Sequence, residues 1–196
     1  MLVHPQGSIE KTRDHEYVAF NDERAGFISF EDYQTTACLD FLPYPDLESS
    51  IRTIQARLRP GSSALFKFTS ISPKIAFLSD QFIFCCLPFM PRRYLLKQDN
   101  PHRTSTPLLT SLHHITEVLS TGSPTVSIQH ITNVTAEHVT ALRMMEQSLV
   151  TDPVRRLNMI SKWGLDGWRD HRLMIAWEAG LLSAGYLQRW NVVVRK

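Results

Sequence analysis

Leu47, Ile51, Ile54 and Leu58 recur at helical spacing and are closed by Pro60-Gly61, and strand-like stretches stand on both sides. That change of period restricts the chain most, because the apolar stripe of such a helix must be buried against a sheet. The spacing predicts an amphipathic helix over 46–59. Strands are expected at 27–30, at 37–42 ending at Pro43, and at 65–71, where apolar and polar residues alternate.

Further along, 75–78 and 82–87 read as deeply buried strands. Pro88, Pro91, Pro101 and Pro107 make 88–106 mostly loop. A helix is expected over 105–121 on the stripe Leu108, Leu112, Ile115 and Leu119, then a turn at Gly122-Ser123-Pro124 and a strand over 125–134. Thr135 starts a helix carrying Val139, Leu142, Met145 and Leu149. Asp152-Pro153 starts another, an N-cap followed by proline at the first helical position, and Gly164 closes it. The last helix, 166–182, is apolar nearly all round from Leu173 to Trp177 and is expected to be buried. Asn191-Val192-Val193-Val194 adds an edge strand. The class expected is α+β: a mainly antiparallel sheet covered by helices, with a helical C-terminal third. Residues 1–26 read as a flexible acidic and polar arm, and 27–196 as a single globular domain.

With 43% hydrophobic and 20% charged residues in a chain of 196, the composition is that of a globular protein. The formal net charge of +2 hides an asymmetry. Residues 1–50 carry three Lys/Arg against ten Asp/Glu, and residues 51–196 carry eighteen against nine. Cys38, Cys85 and Cys86 are an odd set with two adjacent, unlike a disulfide framework. The first residues lack the basic flank and apolar run of a secretory leader, so the chain reads as cytosolic.

The tests for chemistry are negative. His114-Ile115-Thr116 and His130-Ile131-Thr132 have the form of a two-histidine phosphoesterase site, in which one imidazole is base and the other acid. That arrangement needs both elements on strands, and the first has helical periodicity. No Cys/His/Asp set has metal-ligand spacing, and the glycines form no phosphate loop. The reading is therefore of a protein that is not an enzyme and takes no cofactor or metal.

Binding residues are easier to nominate. Arg92, Arg93, Arg155, Arg156, Arg169 and Arg172 are candidates for an anionic surface, whether lipid headgroups or RNA phosphates. All four tryptophans lie in the last 34 residues among arginines, and Trp168 and Trp190 are the candidate aromatic contacts. Tyr44-Pro45-Asp46-Leu47 has the form Tyr-Pro-x-Leu, which resembles the late-domain peptides that recruit the host membrane-scission machinery.

Trp168-Arg169-Asp170-His171-Arg172-Leu173-Met174, followed by Ser183-Ala184-Gly185-Tyr186-Leu187, resembles the closing helix and turn of rhabdovirus matrix proteins. The order of elements over about 27–190 is similar too, although the acidic arm carries neither a Lys-rich segment nor Pro-Pro-x-Tyr. The resemblance implies a viral structural protein, not an enzyme, that self-assembles as a homo-oligomer. It would link viral nucleoprotein or RNA to an anionic membrane surface during budding and recruit a host membrane-scission adaptor. Its expected location is the host cytoplasm, the inner membrane face and the virion. The alternative is a single-stranded RNA-binding viral accessory protein, and the third reading is the two-histidine phosphoesterase.

Overall fold

The computed structural model describes residues 33–90, 104–121 and 125–196. The expected arm, the strand at 27–30, Arg92, Arg93 and the 122–124 turn lie outside them. Four strands form one sheet: β1 (Thr35–Cys38), β2 (Ser63–Ile71), β3 (Ser127–Asn133) and β4 (Leu187–Arg195), in the order β1-β2-β4-β3. The class is as expected, α+β with a largely antiparallel sheet. The β2–β4 and β3–β4 pairs are antiparallel, while β1–β2 is parallel.

The parallel pair follows from the helix between its strands. After β1 the chain makes a 3₁₀ turn at Leu39–Phe41 and a second at Tyr44–Asp46. It then enters α1 (Leu47–Arg57), whose buried face is Leu47, Ile51 and Gln55. Gly61, at φ 82°, turns the chain into β2. A helix crossing back over the sheet delivers the next strand in the same direction.

β2 is buried on both faces. Ala64, Phe66 and Phe68 enter a core with Leu47 and Ile51 of α1, Ile115 and Leu119 of α4 (Leu112–Thr121), and Val192 and Val194 of β4. Leu65, Lys67 and Thr69 alternate to the other face. A second core forms at the Leu187 end of β4. It joins α2 (Asp80–Cys86), the single turn α3 (Thr106–Leu109), α5 (Thr135–Thr151) and α6 (Pro153–Ser183). His138 Nε2 stands 3.8 Å from Glu178 Oε1 inside it, joining α5 to α6.

Five local expectations are corrected. The strand expected at 37–42 ends at Cys38, and Leu39–Phe41 form a 3₁₀ turn. Residues 75–78 are a turn and 82–87 are mostly helical, because Ser79 caps α2 by accepting from the Phe82 N–H at 3.2 Å. Phe82, Cys85 and Phe89 are then the buried stripe. The 105–121 helix is split at Thr110-Ser111 into α3 and α4. Leu173 of the expected buried helix is exposed, since α6 buries only one side, through Ile175, Ala179 and Leu182. The valines at 192–194 belong to a central strand, not an edge, as their pairing on both sides shows.

The helix boundaries at the C-terminal end agree with the sequence. Asp152 Oδ1 accepts from the N–H groups of Val154 and Arg155, at 2.9 and 3.1 Å. Gly164, at φ 75° and ψ 172°, breaks α6 into 153–163 and 165–183. Among the described residues no helix is long and apolar enough to cross a membrane.

Candidate active site

In a sheet with parallel strands, ligands gather beyond the carboxyl ends, where the chain leaves each strand and its backbone groups are unspent. Here that place lies past Cys38 of β1 and Ile71 of β2, and a buried polar cluster occupies it. Asp40, 2% exposed, sits in the 3₁₀ turn directly after β1. Its Oδ1 accepts from the Thr69 N–H at 2.7 Å, and its Oδ2 accepts from the Thr69 hydroxyl at 2.8 Å. Arg189 of β4, 8% exposed, donates through Nη1 to the same Oδ2 and to Thr69 Oγ1 at 3.0 Å. Its Nη2 reaches Cys38 Sγ at 3.4 Å.

The electrostatics are those of a closed pair. Burial alone would lower the pKa of the Arg189 guanidinium, but the Asp40 carboxylate and Cys38 outweigh it and hold the group above its ordinary value. The pair therefore stays ionised, and each charge has its hydrogen bonds. Around it, the Thr104 N–H donates to the Asp40 carbonyl at 3.1 Å. The Thr104 hydroxyl lies 2.8 Å from the Leu42 carbonyl. The Arg189 N–H donates to Thr135 Oγ1 at 2.9 Å, and Trp190 Nε1 donates to Ser70 Oγ at 3.2 Å. The arrangement positions three strand ends. Its carboxylate is engaged by Thr69 and Arg189, so the cluster ties these strand ends together and does not itself take a proton.

The residues nominated from sequence lie elsewhere, apart from Trp190. Trp168 is buried, with Nε1 donating to the Leu149 carbonyl at 3.3 Å. Arg156 and Arg172 cover its ring from 4.9 and 4.8 Å, and Arg172 Nε donates to Glu146 at 2.9 Å. Arg155 donates to Ser148 at 2.8 Å, and Arg169 stands 3.6 Å from Asp166. Arg155 and Arg172 thus tie α6 to α5, whereas Arg156 and exposed Arg169 meet partners within α6. Tyr44, Pro45 and Asp46 are exposed, but Leu47 is buried in the first core, so the four do not present one extended peptide. His114 lies on α4 and His130 on β3. Among the described residues no group of three or more His, Cys, Asp or Glu side chains could hold a metal.

Comparison with protein-family models and with curated sequences gives no match. Solved structures do match in fold. Mycolic acid cyclopropane synthase CmaA1, solved with SAH and CTAB, superposes with a TM-score of 0.59 at 11% identity, over 86% of this chain and 57% of that one. The cyclopropane synthase MmaA2 from Mycobacterium tuberculosis gives 0.54 at 9% identity, over 85% and 57%. Phosphoethanolamine N-methyltransferase 2 from Haemonchus contortus, solved with phosphomonomethylethanolamine and S-adenosylhomocysteine, gives 0.51 at 16%, over 84% and 33%. The chain spans between a third and just over half of the length of these proteins.

These likenesses overturn the resemblance to rhabdovirus matrix proteins. With it go the non-enzymatic structural role, the virion and budding functions and the RNA-binding alternative, because the likeness in fold is to cyclopropane synthases and an N-methyltransferase. The segment that carried the resemblance has a simpler origin. Gly185, at φ 74°, ends α6, the Tyr186 N–H donates to the Leu181 carbonyl at 2.9 Å, and β4 begins. A helix, a glycine and an aromatic entering a strand is a general way to turn a chain.

Proposed function

We propose that this chain is the acceptor-side part of an S-adenosylmethionine-dependent enzyme that transfers a one-carbon group to a small organic acceptor. The likeness in fold to a cyclopropane synthase and an N-methyltransferase, both solved with the demethylated cofactor product, carries the reading. The polar lock at the carboxyl ends of β1 and β2 supports it by marking where an acceptor would be presented.

The described residues do not fit the cofactor itself. A Cβ added at Gly61, Gly164, Gly180 or Gly185 would meet nothing within 4 Å, so none of them is a close-approach cradle for a nucleotide-like group. The polar side chains at the strand ends are spent on one another. Two open grooves run along α6, with Leu173 common to both. The cofactor therefore belongs to parts of the enzyme outside the described residues. What this chain contributes is geometry: Asp40 and Arg189 fix the strand ends, and Trp190 and Ser70 fix the adjoining pair.

The test is label transfer by the protein as its own cells make it. Tagged full chain, isolated with whatever accompanies it and given S-adenosylmethionine labelled in the methyl group, is expected to yield a labelled small organic product. An isolate that neither transfers label nor converts S-adenosylmethionine to S-adenosylhomocysteine would overturn the reading.

A further inference from the structure

Leaving β2, the chain carries an unusual surface. Phe77 and Leu78 are each 68% exposed, and Ile83, Phe84 and Met90 are each more than half exposed. Five large apolar side chains thus face solvent within fourteen residues. The surface is continuous with its surroundings. Phe77 packs edge-on against Phe82 at 4.8 Å, Phe84 stacks on Trp177 at 5.9 Å, and Trp177 Nε1 donates to the Phe84 carbonyl at 3.1 Å. Trp177 and Leu173, the latter also exposed, extend it along the apolar groove on α6. Monomeric proteins rarely leave an apolar patch of this kind uncovered.

The backbone holds the patch outward. Leu78 has φ 61°, the one non-glycine residue in the left-handed region among the described residues. A leucine there is strained. Such a conformation persists only where the surrounding structure imposes it, here a turn closed by Ser79 N–H to the Ala76 carbonyl at 3.1 Å.

We propose that this patch docks the protein on an anionic phospholipid surface, with Phe77, Leu78, Ile83 and Phe84 entering the headgroup–acyl boundary. Two observations choose a bilayer over a protein partner. The side chains stand more than half exposed on a turn and a two-turn helix, which a fluid interface accepts without a complementary surface. Charge agrees: exposed Lys74 opens the segment and Arg92-Arg93 follow Met90-Pro91 in sequence, with Asp80 the one acid between Lys74 and Arg92. Residues 33–196 carry eighteen Lys/Arg against twelve Asp/Glu, an excess that attracts the body to negative headgroups. The patch begins where β2 ends, so docking turns the carboxyl ends of the parallel strands toward the lipid. The inference stands on this surface and needs no cofactor, so its failure leaves the one-carbon-transfer reading untouched.

The experiment is flotation of the full chain with vesicles of phosphatidylcholine alone or mixed with phosphatidylglycerol. Binding is expected to the mixed vesicles and to weaken with salt. Phe77→Ser/Ile83→Ser is expected to reduce partitioning about tenfold or more, since each exchange removes apolar surface from the lipid. Val154→Ser/Leu157→Ser, two exposed apolar residues on the first half of α6, is expected to leave it unchanged. All four positions are exposed, so unchanged far-ultraviolet circular dichroism is the folding control. The proposal is overturned if wild type does not float, or if the Phe77/Ile83 variant floats as well as wild type. It is also overturned if sedimentation shows a dimer that this variant abolishes, which would make a second copy the occupant.

Discussion

Arg189 and Asp40 stand 149 residues apart in sequence and share one carboxylate oxygen in the fold. Losing one partner leaves the other charge buried without compensation, which costs far more than the pair itself is worth. Arg189→Met is expected to lower stability by about 3–5 kcal/mol in urea unfolding. The double variant Asp40→Leu/Arg189→Met is expected to recover much of that loss. Equal losses in single and double variants would mean that the strand ends are held by packing, not by the pair. Cys85 gives a second residue-scale outcome. Burial first, and neighbouring Cys86 second, push its thiol from 9.0 up to about 11. The thiol stays protonated in the folded state after it has ionised in the unfolded one. Its contribution is therefore complete below pH 9 and is lost as pH rises toward 11. Cys85→Ala is expected to flatten the decline of stability between those values, and Cys85 is expected to be the slowest thiol toward an aromatic disulfide at pH 8.

At the scale of elements, α6 is two helices joined at Gly164, in a φ/ψ combination open essentially to glycine alone. Gly164→Ala is expected to cost about 1–3 kcal/mol by thermal unfolding, or else to straighten the helix and raise helical circular dichroism. No change in either would show that the kink is not imposed by packing. Asp152→Ala, which removes the cap of the same helix, is expected to cost about 1 kcal/mol in the same measurement. Both features were legible in the sequence, since capping and glycine chemistry act within four residues. The misread elements fail for the opposite reason. Residues 82–87 are apolar enough to suit a buried strand, and only Ser79 with the Phe82, Cys85, Phe89 stripe marks the helix. The polar cluster was half readable. A strand, a helix closed by Pro-Gly and a second strand signal a parallel pair, with Asp40 just past the first strand and Thr69 near the end of the second. Nothing local marks Arg189 as their partner, because that contact exists only once β4 is in place.

Taken whole, the molecule is a sheet with unequal strands. β2 and β4 pair along nine residues each and enter the cores, whereas β3 is almost wholly exposed. In hydrogen exchange β2 and β4 are expected to protect their amides most strongly, and β3 and residues 153–163 least. Equal protection across the sheet would contradict this ranking. The order β1-β2-β4-β3 has one more consequence, for biosynthesis. The strand that joins the sheet's two halves is the last described one to leave the ribosome, so a nascent chain holding 33–186 has Leu65, Phe66 and Phe68 ready along an open edge. Until residues 187–195 emerge, that edge can recruit any extended segment nearby, so the demand for chaperone protection falls on the time between translation of β2 and of β4.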